Sequence, residues 1–174
     1  MMNYKEQLLT EHSCANTDLI TKAIGNSETE FKKIIDIIYN EQPPLPQRAS
    51  WVVASLNNKN PRLVRRYIPL FVETVKQFKV DGIKRNLMLV LATQPKIYLP
   101  QRAKLIDICF EFMCSPTETV AVKVHAMQVI ANFAKQHPEL VGELKMVIED
   151  QLPKTTVAFA ARARHVFKEL GIKI

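Results

Sequence analysis

Few residues in this chain have a type and spacing that could do chemistry. Asp107 and Glu111 stand four apart, one helical turn, close enough to share acid and base roles. On an outward helix face the same pair is simply solvated, and that is the reading adopted. His12, His125, His137 and His165 are scattered over different helices and corners, so none has the spacing of a metal pair or of a base with its orienting partner. His125 lies early in an apolar helix and reads as a satisfied, half-buried side chain. No Gly-rich phosphate loop, HExxH or GxSxG motif occurs. Cys14, Cys109 and Cys114 are odd in number and lack CxxC spacing, as expected of reduced thiols in a cytoplasmic protein. The expectation is therefore a protein with no catalytic residue, cofactor or metal.

Two other groups of residues are candidates for binding, and both depend on how helices present them. The 174 residues hold 4 Gly and 10 Pro, with 47% apolar and 24% charged residues. That balance suits a globular chain of helices divided by Pro-marked corners. The net charge of +7 is uneven: residues 1–46 sum to −3, residues 47–116 to +8 and residues 117–174 to +2. The start has no apolar stretch of signal-peptide length, and no run of eighteen apolar residues appears, so a soluble protein with no membrane segment is expected.

Capping and breaking residues divide the chain. A helix is expected from Tyr4 to about His12, and a second capped by Asn16 or Thr17 and closed by Gly25. Ser27 with Glu30 makes a capping box for a third, with Phe31, Ile34, Ile35 and Ile38 on one face. Gln42-Pro43-Pro44-Leu45-Pro46 is a corner, separating N-terminal capping helices (1–46) from repeats (47–174) within a single domain. Beyond it, Asn60-Pro61 opens a helix that Pro69 should kink or end early. Asp81 is expected to cap the next, and Pro100 to open its partner through about Cys114. Ser115-Pro116-Thr117-Glu118 should open a helix running towards Gln136, and His137-Pro138 another ending near Asp150. Thr155 or Thr156 caps the last, which stops at Gly171.

The repeat is visible when columns are overlaid. With Pro46, Ile83, Val122 and Phe159 in register, four positions on lie Ser50, Leu87, Ala126 and Ala163. Seven on lie Val53, Val90, Val129 and Val166, and eight on lie Ala54, Leu91, Ile130 and Phe167. The period is 37 to 39 residues, and Pro61, Pro100 and Pro138 keep the same step in the partner helices. A two-helix unit at that period is the mark of an α-solenoid.

On these residues the chain resembles the HEAT and armadillo group of helical repeats. The match is carried by Pro69 in a first helix, then Asp81, Ile83, Lys84-Arg85 and Leu87, with Val122-Lys123 and Ala126, and Phe159 and Ala163, as partial copies. It covers roughly residues 45–170. The chain is also similar to small stand-alone bacterial HEAT-like proteins, some labelled adenylosuccinate lyase. That label does not carry over, because the Ser-Ser-x-Met-Pro-x-Lys-x-Asn loop of those enzymes is missing. What the resemblance implies is an all-α fold, a right-handed α-α superhelix of about four helix pairs. It also implies a non-catalytic scaffold that presents a concave surface.

The candidate partner groove comes from the face opposite the repeated core, at +2, +5, +6 and +9 in each copy. Trp51, Met88 and Met127 stand in the +5 column, and Val52 and Leu89 in the +6 column. They are expected to receive a protein or peptide unless neighbouring helices cover them. If they form a groove, changing Trp51 and Met88 together to Ala should abolish partner capture and leave thermal stability nearly intact. The candidate anion site is the basic set Arg48, Lys84, Arg85 and Lys123 at helix starts, with Arg162, Arg164 and His165 on the last helix. It supports the second expectation, nucleic-acid binding through the basic middle repeats. Alkylpurine DNA glycosylases have a related layout, but Trp51 has no acid on its stripe and that activity is not expected.

Overall fold

The structure, a computed structural model, describes residues 2–94 and 99–173 and is helical throughout, with no strand among those residues. Among the described residues eleven α-helices follow in order: α1 Tyr4–Thr10, α2 Cys14–Ile24, α3 Glu28–Asn40, α4 Leu45–Lys59, α5 Pro61–Arg65, α6 Ile68–Thr74, α7 Asp81–Thr93, α8 Leu99–Cys114, α9 Val120–Ala134, α10 Glu139–Gln151 and α11 Val157–Glu169. They form two compact units, Met1–Lys96 and Ile97–Ile174.

In the first unit, α1, α2, α3, α5 and α7 all pack on α4. The helices on either side of the corner at Pro43–Pro46 pack directly on one another. Cross-helix hydrogen bonds step forward together along helix pairs. Ser50 Oγ accepts from Asn86 Nδ2 at 2.9 Å, and Asn57 Nδ2 donates to Thr93 Oγ1 at 2.8 Å, so α4 and α7 run parallel. Glu28 pairs with Arg66 at 2.6 Å and Tyr39 meets Thr74 at 2.8 Å, so α3 stands to α5 and α6 as α4 stands to α7. Lys59 likewise reaches Asp18 and Thr21 on α2. The offsets, 34 to 41 residues, match the sequence period and extend it into the N-terminal helices. In that first copy Asn16, Thr17 and Thr21 are buried alongside Ile20 and Ile24, and this partly polar face hides it from a hydrophobic overlay.

All sixteen residues of the four overlaid columns are buried, and Val53, Val90, Val129 and Val166 are each at most 1% exposed. How far burial extends around each helix differs. At 100° per residue, the buried arc spans about 100° on α11 but about 200° to 240° on α4, α7 and α9. The wider arcs take in positions that a single stripe leaves outside.

Several helix starts differ from the sequence expectation. Ser13, rather than Asn16 or Thr17, caps α2, accepting from the Asn16 amide at 3.1 Å, while Asn16 turns back to the Gln7 and Glu11 carbonyls of the preceding helix end. Ser27 caps α3, but the Glu30 carboxylate goes to Lys33 rather than closing the box. Asp81 is the first residue of α7, behind Val80, and makes no cap bond. Ser115 Oγ accepts from the Thr117 and Glu118 amides, which closes a turn, and α9 starts only at Val120. Pro69 acts as expected: α5 ends at Arg65, and Pro69 sits in the first turn of a new helix where its missing amide costs nothing.

Candidate functional site

The candidate groove residues do not share one surface. Val52, Met88 and Met127 are 0% exposed and belong to the core. Position +5 falls about 140° around the helix from the reference residue, and position +6 about 240°. The widened arc takes in +6 on α4, which buries Val52, and +5 on α7 and α9, which buries Met88 and Met127. Trp51 and Leu89 are half-buried. Trp51 does not lie open: the His12 ring meets it edge-on at 4.9 Å between centroids. An outer face of Trp51, Val52, Met88, Leu89 and Met127 is therefore not present.

The candidate anion set is also divided. Arg48 Nη1 donates to the Leu8 carbonyl at 2.6 Å and the Leu9 carbonyl at 3.3 Å, so this guanidinium caps the C-terminal end of α1. Lys123 is 7% exposed and its Nζ donates to Gln151 Oε1 at 3.4 Å, which turns it inward towards α10 rather than along an outer edge. Arg48 and Lys123 therefore leave the set. Lys84 is half-buried, and Arg85, Arg164 and His165 are exposed.

A cleft does exist, in the second unit, where α9 and α11 turn their own outward positions to solvent. Between α9 and α11 lies a depression of about 880 Å³, lined by Val120, Ala121, Val124, His125, Thr156, Ala158, Ala161, Arg162 and His165. Val124 and Ala161 are the +2 column of the last two copies, in which the earlier copies carry Arg48 and Arg85. Small apolar residues thus replace the two arginines, and the floor is mostly methyl groups. His165 and Arg162, both in the candidate anion set, form one wall of this cleft. Val120, Ala121, His125, Thr156 and Ala158 were not foreseen, although the change of the +2 column from Arg to Val and Ala is a signal that could have located them.

Polar bonds fix the two helices beside the cleft. Arg162 Nη1 donates to Gln128 Oε1 at 3.0 Å, and Gln128 Nε2 donates to Glu169 Oε2 at 3.1 Å and Asn132 Oδ1 at 3.1 Å. Lys135 pairs with the other oxygen of Glu169. The hydrogen bond from Lys135, aided by Gln128, holds the Glu169 carboxyl below the usual carboxylate range. The Arg162–Gln128 bond ties α11 to α9 beside the cleft, while Phe159, Val166 and Phe167 pack α11 from its buried side. Its lining holds Thr156, His125 and His165 with no carboxylate, and among the described residues no cluster of His, Cys, Asp or Glu could hold a metal ion.

The helices, their 37 to 39 residue period and this outward cleft can be set beside known proteins. A family model described as a HEAT repeat domain matches residues 4–170. The chain belongs to the HEAT-repeat family. The match starts at α1, so the N-terminal helices fall inside the repeat domain and the resemblance to residues 45–170 was too short. HEAT repeats are helical scaffolds that often mediate interactions and are generally non-enzymatic. No curated protein and no solved structure matches the chain. Among the described residues, no helix is long and apolar enough to cross a membrane.

Proposed function

We propose that this HEAT-repeat protein is a non-catalytic cytoplasmic scaffold that docks a protein or peptide partner in the α9–α11 cleft. The observation that carries the reading is the cleft itself. It is lined chiefly by Val and Ala side chains, lies opposite the buried stripe and has the volume of a ligand site rather than a packing defect. Ala161 is exposed on α11, so Ala161→Glu places a carboxylate in the cleft without entering the core. Affinity capture from the protein's own cell extract is expected to yield a partner that Ala161→Glu fails to retain, with an unchanged melting curve. Equal capture by the variant would remove the cleft from the interaction.

The second reading, association with nucleic acid, keeps Arg85, Arg164 and His165 because they are exposed. Its test is retention on heparin or duplex DNA as salt rises, where removing one phosphate-binding cation lowers the salt slope by about one. On this reading Arg164→Glu reduces retention and Lys123→Met leaves it unchanged, since the Lys123 ammonium faces Gln151. No retention of the unaltered protein at low salt would end the reading.

A further inference from the structure

We infer that the α9–α11 cleft is built for an acidic amphipathic helix of a partner protein, an assignment that rests on the docking role proposed above. The charge of its walls is one-sided. Arg162 lines it and no Asp or Glu does, while Arg164 and Lys168 are exposed on α11 just beyond. The acid on α11, Glu169, is paired with Lys135 and accepts from Gln128, which offsets its charge beside the opening. A partner with carboxylates flanking an apolar stripe meets complementary charge on the walls and methyl groups on the floor.

The secondary structure of the occupant follows from the backbone. Both walls are helices whose amides and carbonyls are paired internally, so the cleft offers no strand edge to which an extended peptide could add. A helix satisfies its own backbone and needs only an apolar stripe at i, i+3, i+4 and i+7. Ala121, Ala158 and Ala161 on the floor allow its axis to come close. α11 has 13 residues, about 20 Å of length, so a partner helix of about 13 residues fills the cleft. A single-stranded nucleic acid fits less well, because no Phe, Tyr or Trp lines the cleft as a broad platform for successive bases.

The test uses the full chain and synthetic fluorescent peptides of about 14 residues, long enough to span α11. One carries a Leu stripe flanked by Glu, and the other the same stripe flanked by Lys. Fluorescence anisotropy is expected to show the Glu peptide binding at least about tenfold more tightly than the Lys peptide, a difference that shrinks at high salt. Ala161→Glu is expected to weaken the Glu peptide by a similar factor with its thermal unfolding unchanged. Equal or tighter binding of the Lys peptide overturns the acidic assignment and leaves the docking cleft standing. Glu-peptide binding that ignores Ala161→Glu overturns both. Displacement of the Glu peptide by a single-stranded oligonucleotide overturns the inference in favour of nucleic acid. Self-association in sedimentation that Ala161→Glu abolishes would instead assign the cleft to a second copy of the chain.

Discussion

Met88→Ala is expected to destabilise the protein by about 2 to 5 kcal/mol, lowering its melting temperature by roughly 5 to 20 °C. Met88 has no solvent exposure, and its helix is buried around about two thirds of its circumference. Truncation removes three heavy atoms from the core. The gap closes only in part, because a close-packed interior relaxes little and Leu91 and Ala92, the buried residues one turn on, are fixed to the same helix. Leu89, next in sequence but half-buried, should cost less when changed to Ala, since solvent fills the space left. Met88→Leu nearly conserves volume and should cost less than about 1.5 kcal/mol. Urea unfolding followed by Trp51 fluorescence measures all three, provided the slope against denaturant stays constant. If Met88→Ala left stability within error, Met88 would face solvent as a groove residue.

The same residue shows what can be read from a helical sequence and what cannot. Positions 0, +4, +7 and +8 are buried in all four copies because an amphipathic stripe must meet some partner, whichever it is. Positions +5 and +6 depend on which helices lie to either side, and periodicity holds no information on that. Met88 and Met127 at +5 are buried, whereas Arg164, the same position on α11, is exposed. The residue type gave part of the answer: Val52, Met88 and Met127 are apolar because they are enclosed, and Arg164 and His165 are charged or polar because α11 is covered on one stripe only.

Helix starts were legible where one side chain decides them and misleading where two compete. Ser13 and Asn16 are both good caps, and Ser13 takes the position because Asn16 has stronger work inside, closing the carbonyls at the end of α1. Lysine and arginine were the least legible residues. A sequence marks Arg48 and Lys123 as cations near helix starts, a position that suggests an anion site. Their actual partners, the Leu8 and Leu9 carbonyls and the Gln151 amide oxygen, lie 28 to 40 residues away and are set by packing. The cleft is half legible: Arg162 and His165 stand out in the sequence by their polar side chains, whereas an Ala or Val is equally at home on any helix face until a neighbouring helix leaves it uncovered.

Phe159→Ala should have the largest effect, about 3 to 5 kcal/mol, and should remove the cleft along with the stability. Phe159 is fully buried and is among the largest such side chains in the protein. It anchors the first turns of α11, whose buried stripe contains only Phe159, Ala163, Val166 and Phe167. Ala163 contributes little area, so the two aromatic rings and Val166 hold the helix against its surroundings. The polar bonds of Arg162 and Glu169 to Gln128 are at most half-buried and contribute about 1 kcal/mol each. They cannot replace the lost ring. Amide hydrogen exchange should therefore speed up along α11 by roughly a hundredfold to several thousandfold, the factor corresponding to 3 to 5 kcal/mol. Binding of the Glu-flanked peptide should vanish with it, because Ala158, Ala161, Arg162 and His165 all lie on that helix. Ala161→Glu is predicted to lose the peptide and keep its exchange protection, so the pair separates a damaged wall from a blocked one. Retained peptide binding in Phe159→Ala, with α11 exchanging freely, would show that the partner does not use this helix.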